Sequence, residues 1–136
     1  MAPPLNPPPP PKMSCPNKSL AGKLGEALAA GFLVNRGCRV IEKNYRCPLG
    51  EIDLVVRDGG VVAFVEVRTR ASESFGHPFE SVDRLKRHRI RAVAGHYLGE
   101  RGSARCDALR FDVVAIVFRE GEEPAIEWIP GAFEGA

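Results

Sequence analysis

Residues 50–70 read GEIDLVVRDGGVVAFVEVRTR. Two runs rich in Val, Leu, Ile and Phe flank Asp58-Gly59-Gly60, which marks a β-hairpin with a two-residue turn. Gly-Gly suits the positive φ values of a type I′ turn. With Gly59 and Gly60 at the tip, Asp58 faces Val61, Val55 faces Phe64, Asp53 faces Glu66 and Glu51 faces Arg68. One side of the hairpin then carries Ile52, Leu54, Val56, Ala63, Val65 and Val67. All six are apolar, so this side packs on a core. The other side carries Glu51, Asp53, Glu66 and Arg68, gathered at the end far from the turn.

Those acids need a compensating partner. Carboxylates are depleted in strands, and facing like charges destabilise a sheet. Asp53 and Glu66 are expected to be directly opposed, with Cβ atoms about 5 Å apart. Such a pair shares a proton, pairs with cations or binds a metal. Magnesium and manganese take hard oxygen ligands of this kind. Glu51 and Arg68 could instead form a cross-strand ion pair. The residues alone leave two readings open: a metal site, or a solvated face whose acids are neutralised by Arg68 and nearby lysines. Val55 and Phe64 on the same side favour a covered face.

Working outward, Ser19 is a plausible N-cap for a helix ending at Gly37, with Leu20, Leu24, Leu28 and Phe32 at helical spacing. Glu26 lies about half a turn from that stripe. CRVIEKNYR at 38–46 reads as a first strand and CPLG as a turn. After the hairpin, TRASESFGHPFE is a loop holding Gly76, His77 and Pro78. A second long helix is expected over 81–100. ALRFDVVAIVF at 108–118 reads as a buried strand and AIEWI at 125–129 as a short final one. The order αβββαββ defines an α/β domain over 19–136: a single mixed sheet, partly antiparallel, flanked by helices.

On the second helix Val82, Ile90, Val93, Ala94 and Tyr97 share a broad apolar face, with Leu85 at its edge. Arg84, His88 and Arg91 lie opposite, with Arg87 near the border. These four suit phosphate contacts or a merely solvated surface. Lys86 projects within the apolar face and needs an acceptor there. The acidic end of the hairpin is one candidate; a snorkelling stem is the other.

The bulk properties narrow the classes. The chain of 136 residues is 44% hydrophobic and 26% charged with net charge +2, an ordinary globular balance that does not by itself argue for nucleic acid. No run of apolar residues is long enough for a transmembrane helix, so no membrane partner is expected. Residues 1–18 hold eight of the twelve prolines and no apolar signal core, and are expected to form a disordered, Pro-rich tail. Cys15, Cys38, Cys47 and Cys106 lack C-x-x-C spacing, so zinc is not supported and free thiols in the cytoplasm are expected. His77, His88 and His96 lack a shared metal spacing.

Taken in order, these motifs resemble a known pattern. GKLGEALAAGFL at 22–33, Asn44, GEIDLV, FVEVRTR, Gly76 and Pro78, Lys86, RFDVV at 110–114 and Ala132-Phe133 resemble the small bacterial YraN-like family, within the PD-(D/E)XK restriction-endonuclease-like superfamily. The resemblance covers about residues 22–133. It implies a restriction-endonuclease-like fold with an αβββαβ core. It implies Mg2+ or Mn2+ as cofactor, with Glu26, Asp53 and Glu66 as metal ligands. It implies a catalytic group of Asp53, Glu66, Arg68 and Lys86. The activity implied is metal-dependent hydrolysis of phosphodiester bonds in DNA, including branched recombination intermediates.

Arg68 stands where the superfamily pattern has lysine. A guanidinium stays protonated, so it stabilises charge but takes no proton from water; Lys86 is the candidate substitute. The alternative is a nucleic-acid-binding recombination accessory protein that keeps the fold without efficient catalysis. A third reading is an interaction domain whose partner grips the Pro-rich tail. Symmetric cutting of two strands needs two active sites, which leaves a homodimer as an open expectation.

Overall fold

A computed structural model describes residues 18–71, 84–101 and 108–132. Two helices and five strands follow in the order α1 (Lys18–Asn35), β1 (Arg39–Cys47), β2 (Gly50–Asp58), β3 (Val61–Ala71), α2 (Arg84–Arg101), β4 (Ala108–Phe118) and β5 (Ala125–Ile129). The strands form one mixed sheet in spatial order β1-β2-β3-β4-β5. Only the β3/β4 pair is parallel, and α2 falls in the connection between its two strands. The expected tail, the Gly76–Pro78 loop, Val82, Cys15, Cys106 and Phe133 lie outside the described residues.

The hairpin register is the expected one near the tip: Asp58 pairs with Val61, Val55 with Phe64 and Leu54 with Val65. The turn differs. Gly59 has φ 62°, while Gly60 is not among the positive-φ glycines. One positive φ at the first central residue is the pattern of a type II′ turn, whose twist also matches the strands.

Alternate residues of this hairpin fill two cores. Leu54, Val56, Ala63 and Val65 pack with Ala29, Ala30 and Leu33 of α1 and with Val114, Ile116 and Phe118 of β4. Val55, Val62 and Phe64 pack with Tyr45, Val93, Ala94 and Tyr97. The helices therefore cover opposite faces, and the central strands are apolar on both. Aromatic rings organise the α2 side: Tyr97 meets Tyr45 and Phe64 edge-on at centroid distances of 5.0 and 5.8 Å, and Phe64 stacks on Phe111 at 5.7 Å.

The helix patterns needed adjustment. On α1 the deepest residues are Ala29, Ala30 and Leu33, flanked by the half-buried Leu24, Leu28 and Phe32, while Leu20 is exposed. Small residues at the centre of the stripe let the helix lie close to the sheet. At Gly25 an added Cβ would sit 2.3 Å from Thr69 Cγ2, so only glycine permits this approach. On α2, Ile90, Val93, Ala94 and Tyr97 are buried as expected, whereas Leu85 is exposed. Arg84 and His88 face solvent, and Arg87 and Arg91 are half-buried.

The start of β4 carries a second polar feature. Asp112 is fully buried. Arg110 donates to it from Nε at 2.8 Å and from Nη2 at 2.9 Å, Trp128 Nε1 at 3.0 Å, and the Gly131 backbone N–H at 3.0 Å. Arg110 Nη2 also reaches Asp58 at the hairpin tip at 3.0 Å. This network ties β2, β4, β5 and the segment after β5 together.

Candidate metal centre

The β2/β3 ladder ends at Leu54–Val65. Beyond that rung β2 stays paired with β1 as far as Gly50–Cys47, and β3 stays paired with β4 as far as Ala71–Phe118. The sheet therefore divides. In place of the ladder bond, Asp53 Oδ2 accepts the backbone N–H of Val67 at 2.8 Å. The expected direct opposition of Asp53 and Glu66 on a continuous ladder is thus corrected: a carboxylate sits at the fork and satisfies an otherwise unpaired donor.

A second correction follows from the same place. Ile52 packs with Val55 and Phe64 on the α2 side, while Leu54 and Val56 pack on the α1 side. Strict alternation is broken between 52 and 54. On β1, Lys43 pairs with Leu54 and Tyr45 with Ile52, and between them stands Asn44, with φ 52°. Asn44 thus stands at the rung where β2 breaks its alternation, and Glu51 and Asp53 lie on the side of Glu26 of α1. There the carboxylates of Glu26, Glu51 and Asp53 each offer an oxygen within 4.8 Å of the others.

The expected residues divide as follows. Glu26 and Asp53 come together, joined by Glu51, whose role the sequence left open. Glu51 also receives Arg46 Nε at 2.9 Å. Glu66 stands outside the group of three. It forms an ion pair with Lys86, which enters from α2 as the inward lysine required. Arg68 lies opposite Ala115 in the β3/β4 ladder, two residues beyond Glu66, and so projects to the same face of β3. Arg84, Arg87, His88 and Arg91 share α2 with Lys86.

The electrostatics distinguish Asp53. Its carboxyl is pushed from an ordinary 3.8 up to about 7, first by burial, then by the negative charge of Glu66, with further contributions from Glu26 and Glu51. The Val67 N–H opposes the shift by favouring the charged form. Hard, negatively charged oxygens from three residues are a suitable donor set for Mg2+ or Mn2+. Cys38 is buried, Cys47 half-buried, and both are free thiols; burial raises the Cys38 thiol further, which makes it a packing residue rather than a nucleophile.

Sequence reasoning placed Asn44 among the motif positions but gave it no role in the site. With its amide nitrogen toward the acids it donates to Glu26 Oε1 at 3.0 Å, Glu26 Oε2 at 3.1 Å and Glu51 Oε1 at 3.2 Å. An asparagine interrupting an otherwise β-forming run was the available signal, because asparagine tolerates the left-handed region better than most residues.

A single mixed α/β sheet between two helices, divided where the acids gather, places the protein in a class compatible with the restriction-endonuclease-like fold. The chain belongs to the uncharacterised protein family UPF0102, whose family model matches residues 25–116. That span includes Glu26, Asn44, Glu51, Asp53, Glu66 and Lys86. A UPF0102 protein of Moorella thermoacetica is 53% identical over 113 residues, covering 82% of this chain and 93% of the relative. One from Pelotomaculum thermopropionicum is 44% identical over 117 residues, covering 85% and 97%. One from Anaeromyxobacter dehalogenans is 50% identical over 115 residues, covering 84% of each. No helix among the described residues is long and apolar enough to cross a membrane.

Proposed function

We propose that this protein is a metal-dependent nuclease that hydrolyses phosphodiester bonds in DNA, branched recombination intermediates included. The observation that carries the reading is the convergence of Glu26, Glu51 and Asp53 at the fork of the sheet, beside the Glu66–Lys86 pair. Burial first, and then the negative charge of Glu66, Glu26 and Glu51, raise the Asp53 carboxyl at this place. A divalent cation offsets that charge.

Glu26, Glu51 and Asp53 would hold Mg2+ or Mn2+, with Glu66 adjacent. The bound cation supplies acidification of water and neutralisation of charge on the phosphate oxygens. The chain's own groups do the rest. Lys86 holds Glu66 in place and is the one amine described beside the acids; once freed from Glu66 it can hold or release a proton. Arg68, on the same face of β3, supplies fixed positive charge toward a phosphate. Arg84 and His88 on the exposed side of α2, with Arg87 and Arg91 beside them, suit contacts to the backbone of a nucleic acid.

The test is incubation of the protein with Mn2+ or Mg2+ and labelled single-stranded, duplex, flapped and four-way-junction DNA, beside Asp53→Asn and Lys86→Ala. Cleavage lost in both variants, with the fold intact, is the expected result. A fully active Lys86→Ala protein removes Lys86 from the mechanism. Salt-dependent binding without cleavage on any substrate selects the second reading, a nucleic-acid-binding accessory protein. Arginine at position 68 and the engagement of Lys86 by Glu66 favour that reading.

A further inference from the structure

We infer that Arg39 and Arg57 form a second phosphate-binding point, which grips the backbone of a nucleic acid away from the acids at the fork. The inference rests on the nucleic-acid reading above and goes beyond it, because it adds a contact surface on a part of the sheet that the proposed cleavage site does not use.

The register sets the two arginines directly against each other. Arg39 pairs with Arg57 in the β1/β2 ladder, so both side chains project to one face. The next rung fixes which face. Val40 and Val56 pack on the α1 side, so Arg39 and Arg57 project to the α2 side, as does Val62, the partner of Arg57 on β3. Like charges opposed in this way destabilise a sheet unless an anion lies between them.

The nearby acids are engaged elsewhere. Asp58, next to Arg57 in the chain, projects to the other face and accepts a hydrogen bond from Arg110 at 3.0 Å. Glu42, the next β1 residue paired on the α2 side, accepts two hydrogen bonds from Arg101, each of 3.0 Å. Among the described residues no ion pair holds Arg39 or Arg57. Arg39 is exposed and Arg57 half-buried, so an anion from solvent reaches both. Their Cα atoms lie about 5 Å apart across the ladder, which lets two planar guanidinium forks meet one phosphate.

The surroundings favour a nucleic-acid backbone over a lipid headgroup. The same row continues across the sheet through Val62, which is buried, to Leu109, which is exposed. One exposed leucine is too little apolar surface to insert into a bilayer. Four residues of β2, about 13 Å of strand, separate Arg57 from Asp53, so the phosphate held here is a different one from any at the acids.

The test is DNA binding by the full chain without metal, read by fluorescence anisotropy of a labelled duplex across a salt series. Arg39→Gln/Arg57→Gln keeps the stems and removes both charges; Arg39→Lys/Arg57→Lys keeps the charges. Arg119→Gln, at an exposed arginine beside Glu122 on the far edge of the sheet, controls for net charge. The glutamine pair is expected to bind about tenfold more weakly at about 0.1 M salt, with a salt slope shallower by about 1, the value for one phosphate released. It is also expected to melt at or above the wild-type temperature, because the facing repulsion is gone. The lysine pair should keep the slope and lose part of the affinity, since a point charge replaces a planar fork. Arg119→Gln should keep the wild-type slope.

Wild-type affinity and slope in the glutamine pair, or a glutamine pair that melts well below wild type, overturns the inference and leaves the nucleic-acid reading standing. Loss of binding to vesicles containing phosphatidylglycerol, with DNA binding unchanged, assigns the pair to a membrane surface and overturns it likewise. Failure of the wild-type protein to bind any DNA overturns the nucleic-acid reading and the inference together.

Discussion

Asp112 and Asp53 are both carboxylates set into the same sheet, and their surroundings are opposite. Asp112 is completely buried and receives four hydrogen bonds, two of them from Arg110, whose positive charge balances its own. Asp53 is half-buried, receives one backbone hydrogen bond, and has Glu66, Glu26 and Glu51 for neighbours. Asp112 is surrounded by donors that belong to the chain. Asp53 is surrounded by more acceptors. A paired, fully satisfied buried acid specifies structure, whereas gathered acids that shift one another's titration are the kind of group from which functional sites are built.

The comparison breaks first at Asp112. Asp112→Asn removes the buried charge opposite Arg110, which keeps Asp58 as its remaining ionic partner, with an expected loss of about 3 kcal/mol of stability. Denaturant unfolding reads this, and Mn2+ affinity per folded molecule should be unchanged. A drop in stability much below 1 kcal/mol would place Asp112 outside the structural frame.

Asp53 is expected to respond with the opposite sign. Its carboxyl titrates near 3.8 in the unfolded chain and near 7 in the fold. The fold therefore binds a proton that the unfolded chain releases. The stability this proton contributes is complete below the unfolded value and is lost as pH rises through the folded one. Without metal, the wild-type protein should lose stability between about pH 4 and 7, and Asp53→Asn should exceed it at about pH 8 by about 2 kcal/mol or more. Melting curves across that pH range check the sign, and Mn2+ should restore the wild type but not Asp53→Asn.

The smallest effect is expected at Arg46, whose exposed side chain pairs with Glu51 at the rim of the acid cluster. Arg46→Ala should change stability by less than about 1 kcal/mol, as for other surface ion pairs. It should nonetheless tighten Mn2+ binding, because it leaves Glu51 with one cation fewer. Weaker Mn2+ binding in Arg46→Ala would show that Arg46 positions Glu51 rather than competing for it.

Much of this architecture is legible in the chain. The Gly59-Gly60 turn and the flanking apolar runs define the hairpin and its register near the tip, and the inward Lys86 requires an acid that proves to be Glu66. The fork at Leu54–Val65 is not legible, because period-two alternation carries no mark of where two strands part company. A regular ladder sets Glu66 against Asp53; what it does not mark is that Glu51 joins Asp53 and Glu26, while Glu66 stays close enough to act on Asp53 and pairs with Lys86. The Asp112 network escaped notice because its donors stand on β4, on β5 and in the segment after it, up to 19 residues away in the chain.

The sequence by itself determined the elements, the two apolar faces of the central strands and the set of acids and bases available. Those follow from local propensity and periodicity, which act between residues a few positions apart. Only the tertiary structure decided which acids meet. Packing of α1 against Thr69 through Gly25 brings Glu26 to the sheet, where it meets Glu51 and Asp53 at the break in the alternation of β2. Neither event is encoded in a short window, because each depends on contacts between elements far apart along the chain.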